Sequence, residues 1–93
     1  MMDIFEEWLN LEKIKKSDFE NMSWEIKWGI YQRYFWENKQ WWLSIYPYSD
    51  KFGGRIDKFW GECIFNSNFI TNSPEDAQNR IIKEAFKLQI EIN

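Results

Sequence analysis

The chain has 93 residues, 44% of them hydrophobic, 20% aromatic and 29% charged, which is enough apolar material for one compact domain and argues against a disordered chain. With a single cysteine, Cys63, an internal disulfide is excluded, and nothing points to an oxidising compartment. The absence of histidine removes the usual general base, most zinc sites and the Ser-His and Cys-His nucleophile systems.

The first twenty residues carry acids and lysines throughout, and no long apolar run follows. Neither a signal peptide nor a membrane span is expected, and the expected location is cytoplasmic. Abundant Ile, Lys and Asn, with alanine only at 77 and 85, point to an AT-rich coding sequence such as that of a low-GC bacterium or one of its phages. With no internal repeat and no Pro/Ser-rich linker, residues 1–93 read as a single domain.

In chain order, residues 2–15 read as a helix, because Ile4, Phe5, Trp8, Leu9 and Leu11 recur at helical spacing. Asp3, Glu6 and Glu7 near its start and Lys13, Lys15 and Lys16 near its end complement the helix dipole. The next segment is ambiguous. "WEIKWGI" alternates as a strand does, yet Trp24, Trp28, Tyr31 and Phe35 lie on one helical face. The apolar pattern runs on to Trp36, longer than a usual strand. With Ser23 as N-cap and Asn38 as a stop, the choice is a helix over 23–38.

Two strands are expected next, 40–48 and 55–66. In the first, Trp41, Leu43 and Ile45 face one way and Trp42, Ser44 and Tyr46 the other, with Pro47 at an end or edge. "SDKFGG" reads as the turn, Gly53 and Gly54 being free to take positive φ. In the second strand Phe59, Gly61, Cys63 and Phe65 share a face, opposite Trp60, Glu62 and Ile64. A short third strand, 69–71, is a further candidate. A helix over 74–91 follows, capped by Ser73, with Pro74 in its first turn and Glu75 and Asp76 at the positive dipole end. Its stripe of Ala77, Ile81, Ala85, Leu88 and Ile92 must lie on something apolar, and the hairpin sheet is the evident partner. The expected class is α+β: a small antiparallel sheet of two or three strands packed with helices.

Enzymatic chemistry finds little support. Cys63 reads as a small buried hydrophobe, and the Glu6/Glu7 and Glu75/Asp76 pairs are explained as helix-start charges. Asp50, Asp57 and Glu62 lack the spacing of a calcium loop, and Gly53-Gly54-Arg55 is no P-loop or dinucleotide fingerprint. No catalytic residue, metal or cofactor is expected.

The net charge of −3 is unevenly spread: residues 1–25 carry −4, residues 26–60 carry +3 and residues 61–93 carry −2. The basic third is also the richest in aromatic side chains. Trp24, Trp28, Tyr31 and Phe35 read as core. Trp36 falls on the polar side of its helix, and Trp41 and Trp42 must point to opposite faces of their strand. Tyr46 shares Trp42's face, with Trp60 expected as a cross-strand neighbour. One such cluster is expected to stay exposed until a partner covers it. The candidate partner-binding residues are Trp36, Trp41, Trp42, Tyr46, Tyr48, Arg55 and Trp60.

"MSWEIKWGIYQRYF", two strands, then "TNSPEDAQNRIIKEAFKLQ" resembles a loose group of small phage and prophage proteins. The residues that carry the likeness are Trp28, Gly29, Ile30 and Tyr31, then Glu75, Ala77, Gln78 and Ala85. The element order is also similar to the double-stranded RNA-binding fold, but Pro74-Glu75-Asp76 stands where that fold has basic residues. The phage resemblance implies a protein that binds and blocks a host protein, of anti-CRISPR or other anti-defence type. The expected partner is then a host protein, including one that itself binds nucleic acid. The alternatives are a single-strand nucleic-acid binder that stacks bases on Trp36, Trp41, Trp42, Tyr46 and Trp60, and a homo-oligomeric assembly subunit, a homodimer included. The overall acidity disfavours the former.

Overall fold

The computed structural model describes residues 3–66 and 71–92. Helices α1 (Ile4–Leu11), α2 (Lys16–Glu20) and α3 (Trp24–Lys39) lead into strands β1 (Trp41–Tyr48), β2 (Lys51–Lys58) and β3 (Cys63–Asn66), and helix α4 (Pro74–Ile92) closes the chain. The strands form one antiparallel sheet in the order β1-β2-β3, so the fold is α+β.

The helix expected over 2–15 is interrupted. Asp3 caps α1, its carboxylate accepting from the Glu6 N–H at 2.8 Å. At the other end Lys13 adopts a left-handed φ of 61°. Its N–H donates to the Asn10 carbonyl and that of Ile14 to the Leu9 carbonyl, at 3.0 and 2.9 Å. This is a Schellman stop built without the usual glycine. It turns the chain so that α2 can place Phe19 beside Phe5, ring centroids 5.3 Å apart.

The segment over 24–39 is a helix, as its length indicates. Ser23 caps it, and Gln40, at a left-handed φ of 57°, ends it two residues beyond Asn38. Phe35 is fully buried and Trp24, Trp28 and Tyr31 pack partly buried against the core. Tyr34, outside the expected stripe, is fully buried as well. The cause is α1, whose Phe5 and Trp8 rings meet Tyr34 edge-on at 5.0 and 5.5 Å, so α3 is covered on two sides.

Ser73 caps α4, its hydroxyl accepting from the Asp76 N–H at 3.1 Å. Ala77, Ile81, Ile82 and Ala85 are buried, and α4 contacts both β1 and β2. Gln89 is a buried polar residue in this stripe. Its amide donates to the Tyr34 hydroxyl at 2.9 Å, and its carbonyl oxygen lies 3.2 Å from that hydroxyl. The pair joins α3 to α4 inside an aromatic core, and removing one member leaves the other unsatisfied. Tyr34→Phe is therefore expected to cost about 1–2 kcal/mol in a urea titration, whereas Tyr34→Phe combined with Gln89→Leu recovers much of the loss.

The second strand begins earlier than expected and ends earlier. Ser49, at φ 60°, makes a tight turn with Asp50, and Gly53 and Gly54 lie inside β2 rather than in the turn. They are needed for close approach instead. A Cβ on Gly53 would meet the Tyr46 ring at 2.8 Å, and one on Gly54 would meet Ile81 at 2.9 Å. The span 55–66 is also not one strand. It bends at Phe59 to Glu62, where Gly61 takes φ 91° and the Lys58 N–H donates to the Glu62 carbonyl at 2.8 Å. A bulge then shifts the β2–β3 register, pairing Ile56 with Phe65 but Asp57 with Cys63. Cys63 is consequently exposed on a short edge strand, contrary to the burial expected of it. Of the candidate strand 69–71, Phe69 and Ile70 lie outside the described residues, and Thr71 forms an isolated bridge with Phe52.

Candidate partner-binding face

The helices cover one face of the sheet, where Trp41, Leu43 and Ile56 are buried. Strand alternation sends Trp42, Ser44, Tyr46 and Tyr48 to the other face. Their partners on β2 are Asp57, Arg55, Gly53 and Lys51.

Trp41 is therefore not on this face: it lies in the core, stacked on Phe35 at 6.2 Å and 14°. Trp42, its neighbour, is 47% exposed. Trp36, 42% exposed, comes from the last turn of α3 and meets Trp42 edge-to-face at 6.4 Å. Two rings from different elements thus form one apolar ridge at the β1 edge.

Trp60 is not the cross-strand neighbour of Trp42 or Tyr46, because the chain turns before reaching it. It stands on the β2–β3 turn, 61% exposed, edge-to-face with Phe59 at 4.9 Å. Its indole N–H donates to Glu62 at 3.0 Å, and the Lys58 ammonium lies 5.0 Å above its ring. These contacts fix the orientation of a large exposed ring.

Between the Trp36–Trp42 ridge and this turn lies a groove of ≈ 540 Å³. Trp36, Trp42 and Phe59 supply its apolar lining, and Arg55, Asp57 and Lys58 its polar lining. The Nε–H of Arg55 donates to both Asp57 oxygens, at 2.8 and 3.0 Å. That hydrogen bond, reinforced by the carboxylate's charge, raises the Arg55 pKa above its ordinary value.

Two of the expected site residues stand apart. Tyr46 lies flat over Gly53, its hydroxyl donating to Asn66 of β3 at 3.0 Å, so its ring fastens the three strands together. Tyr48 is exposed at the far end of β1, six residues from Trp42, or about 20 Å along a strand. Phe59 and Asp57 belong to the groove and were not among the expected residues. Phe59 follows Arg55 and Asp57 in strand phase and stands exposed just beyond the end of β2.

Three of the six cations of the middle third, Arg33, Arg55 and Lys58, are paired with carboxylates of the same chain. Arg33 binds Glu12 and Glu37 at 2.5 and 2.7 Å and holds the Glu37 carboxyl below its ordinary range through that hydrogen bond. Arg55 pairs with Asp57, Lys58 lies 3.6 Å from Glu62, and Lys51 is hydrogen-bonded to Asn72. Among the described residues no cluster of carboxylates and thiols could hold a metal ion. No helix among them is long and apolar enough to cross a membrane. The chain matches no family model, no curated protein and no solved structure.

Proposed function

We propose that the chain is a non-enzymatic protein-binding module whose uncovered sheet face, centred on Trp36, Trp42, Phe59 and Trp60, docks on a host protein. The observation that carries this reading is the large apolar rings from three places in the sequence gathered around one groove. The charged groups between them are already oriented by partners within the chain. Aromatic and arginine side chains in such a setting form the energetic centre of protein interfaces. The engagement of Arg33 by Glu12 and Glu37 and of Lys58 by Glu62 speaks against a surface that tracks a phosphate backbone, which needs several cations free to neutralise it.

Together with the likeness to small phage proteins, this favours an inhibitor that occupies a working surface of its target, of the anti-defence kind. The acids of residues 1–25 would steer it toward a basic partner surface. To test the reading, tagged protein is incubated with lysate of a low-GC bacterial host, with and without nuclease. The expected result is one protein retained in both, and lost with Trp42→Ser. Retention of nucleic acid, or of proteins that disappear after nuclease, speaks for a base-stacking surface. A concentration-dependent mass of the purified chain, lost with Trp42→Ser, speaks for self-association.

A further inference from the structure

The groove has a narrower chemistry than its aromatic rim alone conveys. Arg55 reaches Asp57 through Nε only. Its Nη groups make no further bond among the described residues. A guanidinium has five N–H donors in a rigid fork. Here one is used to hold the group in place, and the edge that matches a carboxylate in a bidentate manner is left over. The holding partner sits on the same strand, two residues along, so the orientation does not depend on any mobile element. Trp36, Trp42 and Phe59 line the same groove as Arg55 and offer apolar area with few rotatable bonds to restrict.

Resting on the protein-binding reading above, we propose that the groove takes an acidic–apolar segment of the partner protein. The segment's Asp or Glu carboxylate binds the Nη edge of Arg55, and the apolar side chain next to it packs among Trp36, Trp42 and Phe59. A basic side chain fits less well. Both oxygens of Asp57 are already engaged by Arg55, and a cation entering the groove meets Arg55 and Lys58 together. A nucleic-acid strand also fits less well: one free guanidinium edge holds one anion, and a volume of ≈ 540 Å³ suits a few side chains rather than an extended backbone.

The test uses a randomised library of twelve-residue peptides selected on the immobilised full chain, with oligothymidylate and inorganic phosphate as competitors. The peptides selected on the wild type are expected to carry Asp or Glu beside a Leu, Ile, Phe or Trp. Changing that acid to its amide, or Arg55→Gln in the protein, is expected to weaken binding about tenfold or more, the worth of a charge-assisted pair. Arg55→Lys keeps the charge but not the fork, and is expected to recover only part of the binding. An unchanged thermal midpoint for each variant separates loss of the site from loss of the fold. Selection of peptides without an acid, enrichment of basic ones, no enrichment at all, or binding indifferent to Arg55→Gln overturns the proposal. So does displacement of the selected peptides by oligothymidylate at lower concentrations than by free peptide, which points to nucleic acid instead. If these arms fail while capture of a protein partner still depends on Trp42, the carboxylate chemistry falls and the protein-binding reading stands.

Discussion

Trp41→Ala is expected to destabilise the fold by about 3–5 kcal/mol, whereas Trp42→Ala, one residue on, is expected to change stability by no more than about 0.5 kcal/mol. The two residues have the same side chain and share a strand, and they differ only in which way the pleat sends them. Trp41 is 4% exposed and stacks on the fully buried Phe35. Truncating it opens a cavity between α3 and the sheet that neighbouring rings cannot fill without leaving their own contacts. Trp42 touches Trp36 and otherwise faces outward. Urea titrations of both variants check the contrast. A loss for Trp42→Ala comparable to that for Trp41→Ala would mean that the outer face is covered.

Gly54→Val is expected to cost about 3 kcal/mol, at the upper end of what overpacking brings about. A Cβ at that position meets Ile81 at 2.9, 3.1 and 3.2 Å, through its Cδ1, Cγ1 and Cβ atoms. Ile81 is fully buried between α4 and the sheet, so its branch point has nowhere to retreat, and α4 must move off β2. Gly29→Ala is the informative control. A Cβ there meets nothing within 4 Å, and the site is interior to α3. The substitution is expected to stabilise by about 0.5–1 kcal/mol through helix propensity alone. Thermal midpoints of the two variants should move in opposite directions.

Gly53 and Gly54 mark the limit of what periodicity and caps convey. The α+β class, the helix over 24–39, the first strand and the capped last helix follow from periodicity and caps, which are local. Ser23 and Ser73 do what a serine before an apolar stripe is expected to do. Gly53 and Gly54, by contrast, look like turn residues because glycine permits positive φ. Here glycine serves the approach of Tyr46 from one side and Ile81 from the other, and that requirement is tertiary. The end of α1 was illegible for a similar reason. The left-handed position falls on Lys13, a residue without a turn preference, and is held by the anchoring of Ile14 on the core.

The candidate site was legible in part. Trp36 could be placed outside from its helix face, while strand phase put Trp41 and Trp42 on opposite faces without deciding which of them is covered. Trp60 was placed near them for an incorrect reason, since the strand meant to carry it turns at Gly61. Phe59 and Asp57 follow the alternation phase of Arg55, and they were missed because nothing local decides which face of the sheet the helices cover. Tyr46 carries the aromatic and hydroxyl chemistry of an interface residue, yet the glycine opposite it draws it onto the sheet.

On the proposed function, the Trp36–Trp42–Phe59–Trp60 face binds a protein. The most direct measurement is the affinity of the captured host protein for the wild type, Trp42→Ala and Trp60→Ala by titration calorimetry, with stability measured in parallel. A loss of about 2 kcal/mol or more, roughly thirtyfold, for each variant at unchanged stability is the predicted result. Equal affinity for all three proteins would contradict the claim and move the interface off this face.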